Sequence, residues 1–176
     1  MKKCVPVRLI VLLISFIILS IIILCVVPIK QVLTFQFQNT GKVLAYIPLL
    51  NEEHFKMKYT HSIHLSDVVE SYHITEKGEI AQYELMYEDF AIGMPANASA
   101  GETFEHKNGK YYIKNMNRVF PSFDLRVGKV RANHTVIYRQ EGYRLSRYIE
   151  PGTWIRIKVE KVNLIELWKG VNILET

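Results

Sequence analysis

Side chains able to do acid–base chemistry concentrate in one short stretch, Tyr59-Thr60-His61-Ser62 followed by Asp67-Val68-Val69-Glu70. Phe55, Met57 and Tyr59 alternate with Lys56, Lys58 and Thr60, the period of a half-buried strand, and His61 continues its apolar face. In the next strand Glu70 interrupts the apolar face of Val68, Tyr72 and Ile74. A connection centred on Leu65 and Ser66 would set His61 opposite Glu70 and Tyr59 opposite Tyr72, bringing imidazole and carboxylate into contact across a hairpin. Burial opposes both charges while proximity favours the ion pair, so the two protonations would be coupled. Such a pair has two readings, a device that fixes strand register or part of a ligand site; perturbed pairs are often structural, which favours the first.

The same inventory excludes other chemistries. Ser62 is adjacent to His61, and neighbours in a strand point to opposite faces, so His61 is a poor base for it; no G-x-S-x-G elbow is present, and no catalytic residue is assigned. His61 and His64 would also fall on opposite faces, and the chain has no His-x-His, cysteine cluster or H-E-x-x-H, so neither metal nor other cofactor is expected. His54, His73, His106 and His134 read as surface or turn histidines. A second candidate is Phe90 to Ala96, where Gly93 gives backbone freedom and Pro95 fixes the chain before Ala96. Its N–H groups could converge on a carboxylate or carbonyl, although a plain turn is the simpler reading.

Strands must position these groups. Further period-two segments run over Val32 to Phe37, Lys42 to Ile47, Val68 to Glu76, Ile80 to Tyr87, Phe123 to Val127, His134 to Tyr138, Tyr143 to Ile149 and Ile155 to Val159. Asn108-Gly109 between Phe104–Lys107 and Lys110–Ile113 is a hairpin signal, and Pro151-Gly152 suits a type II turn. Lys77-Gly78 joins two more strands. No long stretch has helical periodicity, so the fold class is an all-β sandwich or irregular barrel. Ala91 to Gly101, small and poor in charge, reads as a surface loop.

One N-terminal transmembrane helix precedes that domain. Leu9 to Ile29 carries no charge, long enough for a bilayer core of roughly 20 helical residues. It ends without the small-residue site of a cleaved signal peptide. Residues 1–8 form a basic flank, 9–29 the anchor and 30–176 the domain. Lys2, Lys3 and Arg8 precede the span and Lys30 follows it, so the positive-inside tendency predicts a single-pass cell-membrane protein, N-terminus cytoplasmic and domain extracytoplasmic. Of the 22 Lys and Arg, 18 remain beyond those four flanking residues, against 17 Asp and Glu, so the net charge of +5 gives the domain no electrostatic case for nucleic acid. Cys4 and Cys25 lie before and within the span, leaving the domain without a disulfide.

Tyr59-Thr60-His61-Ser62, Val69-Glu70, Gly78-Glu79, Gly93-Met94-Pro95-Ala96, Asn108-Gly109 and Pro151-Gly152 together resemble an uncharacterised bacterial family, domain of unknown function 1850, over roughly Leu44 to Val162. Ala91 stands where the family pattern carries a glycine. The resemblance transfers no catalytic residues. It implies company, because such proteins are often encoded beside tripartite ATP-independent periplasmic (TRAP) transporters of the TAXI type, which import organic acids. The leading expectation is therefore a non-enzymatic, membrane-anchored accessory module whose partners are the cytoplasmic membrane and a transporter or its solute-binding protein. An organic-anion binding module built on His61 and the Gly93–Ala96 loop comes second, and a hydrolase third.

Overall fold

The computed structural model describes residues 7–50, 52–89 and 94–175; the basic flank before Val7, and Phe90 to Gly93, lie outside them. Helix α1, Val7–Val26, contains a 19-residue apolar window long enough to cross a membrane. Its two serines donate to carbonyls one turn back, Ser15 to Leu12 and Ser20 to Phe16, so neither hydroxyl is left unpaired. The helix stops at Val26, short of Ile29, because Pro28 biases the residue before it away from helical geometry.

Among the described residues twelve strands form two sheets. The five-stranded sheet has the order β12 (Val171–Asn172), β2 (Val43–Pro48), β1 (Lys30–Phe37), β11 (Trp154–Val162) and β8 (Phe123–Arg126). The seven-stranded sheet has the order β10 (Glu141–Arg144), β9 (Thr135–Tyr138), β3 (His54–Thr60), β4 (Asp67–Ile74), β5 (Ile80–Tyr87), β7 (Lys110–Phe120) and β6 (Thr103–Lys107). They pack as a sandwich: Leu33, Phe35, Ile155 and Ile157 from one sheet and Phe55, Met57, Val136 and Tyr138 from the other are almost wholly buried in one cluster. The all-β expectation holds in its sandwich form.

Turn chemistry acts where the sequence signals it. Asn108 and Gly109 both have positive φ, 53° and 75°, in the two-residue connection of β6 to β7. Gly152 has φ 92°, and Thr153 N–H donates to the Glu150 carbonyl across Pro151-Gly152.

Three expectations need correction. The Tyr143 to Ile149 strand ends at Arg144 and becomes a 3₁₀ turn at Leu145–Arg147. Leu145 and Ile149, four apart, are both buried and joined by an Ile149 N–H to Leu145 carbonyl bond, so helical spacing wins over the alternation. The domain also contains a short helix, α2 (Leu164–Lys169), set by a capping box in which Asn163 and Glu166 satisfy each other's backbone N–H.

The third correction concerns register. β3 pairs β4 with Met57 opposite Glu70, Tyr59 opposite Val68 and Thr60 opposite Asp67. His61 therefore faces Ser66 in a connection centred on Ile63 and His64, not on Leu65 and Ser66. A compact turn fixes this: His61 N–H donates to the Ser66 carbonyl, Leu65 N–H to the His61 carbonyl, and Leu65 takes φ 58°. The His61–Glu70 pair does not form.

Candidate functional site

Glu70 keeps the inward direction that its place between Val68 and Tyr72 requires, but its partners are tyrosines. Tyr72, two residues along the same face, donates its hydroxyl to the Glu70 carboxylate at 2.7 Å. Tyr72 is itself held rigidly, its ring stacked between Phe55 at 5.1 Å and Phe123 at 5.3 Å. Burial raises the Glu70 pKa above the usual carboxylate range, and the Tyr72 hydroxyl offsets part of that rise. Burial, and then the nearby Glu70 charge, push the Tyr59 hydroxyl well up; the same two causes act on Tyr72. Among the described residues no cation pairs with Glu70. A carboxyl so placed offers an organic anion no positive charge and suits a register or proton-holding role better.

Glu70 lies at a seam. On one side Phe55, Met57 and Tyr72 belong to the core shared by both sheets. On the other, Val68, Leu85, Tyr87, Ile113 and Met116 form a second buried cluster against which Tyr59 and Met94 pack. Met94 brings the long loop onto this half of the seven-stranded sheet, and Tyr87 donates its hydroxyl to the Pro95 carbonyl at 2.5 Å. Pro95, which has no N–H to offer, thus turns its carbonyl to the Tyr87 hydroxyl, while Ala96 is exposed; Gly93 lies outside the described residues. The loop's far end is pinned where Arg118 binds the Glu102 carboxylate at 2.9 Å. The Ser99 backbone N–H, and then Arg118, hold that carboxyl below the usual range.

His61 and Ser62 sit in the β3–β4 turn. The His61 ring lies 5.9 Å from that of His64, and its Nδ1 is 3.4 Å from the Ile63 backbone N. Ser62 is exposed and lines an open cleft of about 440 Å³ together with the β8–β9 connection, including Arg126, Lys129, Val130 and Arg131. Thr60 N–H donates to the Ala132 carbonyl at 2.8 Å, binding these two loops side by side. His134 shapes the second loop: Gly128 N–H donates to its Nδ1 at 3.1 Å, which places the ring proton on Nε2, and burial lowers its pKa, favouring the neutral ring. Sequence reasoning passed over His134 because nothing local marks it; only the return of β9 beside β3 sets it 5.6 Å from the Tyr59 ring.

The loop end carries an uncommon surface. Ile63, Leu65 and Val130 project into solvent, Val130 at 89% exposure, and Trp154 lies half-exposed under the Arg126 guanidinium at 5.8 Å. Neither His61–Ser66 nor Arg126–Ala132 contains an acid, and the second contains three cations. Two larger hollows, about 520 Å³ beside Pro48 and Leu50 and about 510 Å³ beside His54 and Lys56, are open to solvent, and Glu70 lines neither. No group of three or more potential metal-ligating side chains occurs among the described residues.

The model of one protein family, domain of unknown function (DUF1850), matches residues 55–145, more than half of the chain, and the chain belongs to that family. The match spans β3 through β10 and so covers Glu70, the β3–β4 turn, the Met94–Ala96 segment and the basic loop. Comparison with curated proteins finds no match, and neither does comparison with solved structures.

Proposed function

We propose that this DUF1850 member is a non-enzymatic docking module. It is tethered by α1 with its domain extracytoplasmic, and it presents the β3–β4 and β8–β9 loops to a protein partner with an acidic surface. The observation that carries this reading is the union of apolar tips and cations on two hydrogen-bonded neighbouring loops. Solvated apolar tips gain free energy when covered, and a basic rim selects and steers an acidic partner. Glu70, enclosed by aromatic rings without a cation, argues against an anion-binding or hydrolytic centre at the seam. The gene neighbourhood implied by the family points to the partner class, a TRAP-type organic-acid transporter of the TAXI kind or its solute-binding protein. The basic flank before α1 supports the orientation.

The test is affinity capture of the full-length chain from native membranes, in wild type and in Ile63→Asp/Val130→Asp. The wild type should bring down a transport component, and the double variant should lose it by an order of magnitude or more. Equal capture by both, or none by the wild type, overturns the reading.

A further inference from the structure

The anchor delivers the chain into β1 at Lys30, and β1 ends at Phe37, ~25 Å away at about 3.3 Å per residue. The two ends of the five-stranded sheet are thereby distinguished. Ile29 N–H donates to the Val162 carbonyl at 3.2 Å, so β11 finishes where α1 leaves the membrane, and α2 begins immediately afterwards at its cap Asn163. Trp154 opens β11 at the opposite end, where its carbonyl accepts from Gln38 N–H.

Helix α2 divides its side chains between two surroundings. Leu167 packs on Val32, Val43, Tyr46 and Val162 on the outer face of the sheet. Ile165 and Trp168, three apart, turn away from that contact, Leu164 lies at its edge, and all three are exposed, Trp168 at 86%. Helices α1 and α2 are in contact. Among the described side chains of α1 Cys25, near its C-terminus, is the one partly covered. Exposed Lys30, Lys161 and Lys169 surround this end of the domain.

We propose that α2 is a membrane-interface helix, with Leu164, Ile165 and Trp168 seated at the headgroup–acyl boundary of a phospholipid bilayer beside the exit of α1. Tryptophan is favoured at that depth because its ring is apolar and its N–H reaches the polar layer. The three lysines stand where lipid phosphates would lie. Gly170 lets α2 hug the sheet, since a Cβ there would meet Val43 and Tyr46 at 3.0 and 3.1 Å. The domain would then be held at a fixed tilt, with the β3–β4 and β8–β9 loops turned away from the lipid, rather than swinging freely on a tether. This inference rests on the reading of α1 as an anchor.

The chain has two tryptophans, one near each end of the five-stranded sheet, and so contains its own control. The full-length protein, as Trp154→Phe and as Trp168→Phe, is reconstituted into phosphatidylcholine/phosphatidylglycerol vesicles carrying brominated acyl chains, and flotation is measured first. Trp168 emission should be blue-shifted, quenched by shallow bromines and shielded several-fold from acrylamide, while Trp154 should show none of these. Leu164→Asn/Ile165→Asn in the Trp154→Phe background should still float, yet bring acrylamide quenching of Trp168 up to the Trp154 level. Floating protein whose Trp168 is as accessible as Trp154 overturns the interface helix alone. Failure to float overturns the anchor reading and the inference with it. Circular dichroism of each variant separates either result from misfolding.

Discussion

Tyr72→Phe removes one hydroxyl and leaves the ring stacked between Phe55 and Phe123, so it isolates the bond to Glu70. Residues 30–176 suffice for the measurement, because all three buried clusters lie between Val32 and Ile173 and none draws on α1. Wherever the Glu70 carboxyl is ionised the substitution strands a mostly enclosed charge, and a hydrogen bond to a charged group is worth about 1.5–3 kcal/mol. Below the ordinary glutamate pKa the carboxyl is protonated, and the loss should shrink to the roughly 0.5–1.5 kcal/mol of a neutral bond. Two opposed contributions are involved. Burial raises the Glu70 pKa, so that contribution to stability is complete below the ordinary glutamate value and is lost as pH rises through the folded one. The Tyr72 hydroxyl favours the ionised form, so what it contributes grows over the same rise. Urea unfolding across a pH series from about 4 to about 9 should therefore give a Tyr72→Phe penalty that grows as pH rises through the folded Glu70 pKa, and in a Glu70→Gln background the penalty should not vary with pH. A penalty below about 0.5 kcal/mol throughout the series, or one that does not grow with pH, would refute the assignment of Tyr72 as the carboxylate's partner.

Three shorter expectations follow from the same geometry. His61→Gln and Glu70→Gln should combine additively within about 0.5 kcal/mol, because register separates the two residues; a larger coupling in a double-mutant cycle would restore the cross-strand pair. Gly170→Ala should change stability by about 1 kcal/mol or less, read from the urea midpoint, because its φ of −94° suits alanine and the Val43 and Tyr46 side chains at 3.0 and 3.1 Å need give only slightly; a loss of several kcal/mol would show that α2 is clamped rigidly on the sheet. Residues 30–176 should give a strand-dominated circular dichroism spectrum and a melting temperature indifferent to chelator and reductant, and a chelator-induced drop of several degrees would expose a metal site.

Much of the framework was legible because its signals are local. Twenty-odd apolar residues mark α1, alternation marks β3 and β11, and Asn108-Gly109 and Pro151-Gly152 mark turns with a residue at positive φ. The misses share a cause. Arg139 and Gln140 take φ 51° and 68° in the β9–β10 connection with neither glycine nor asparagine to announce it. Tyr143 to Ile149 satisfies period two and period four alike, and burial of Leu145 with Ile149 decides for the turn. Six residues are too few for α2 to show periodicity, although Asn163 and Glu166 carried its capping signature.

The sequence by itself determined that Glu70 would face inward from its strand, since alternation depends only on backbone geometry. Which residue meets it was decided by tertiary structure. Shifting the centre of the β3–β4 connection from Leu65–Ser66 to Ile63–His64 exchanges a histidine partner for Met57 across the strand. It leaves Tyr72 to satisfy the carboxylate. The hydrogen bonds of that turn accompany the shift, and they are not encoded in the spacing of side chains along one strand.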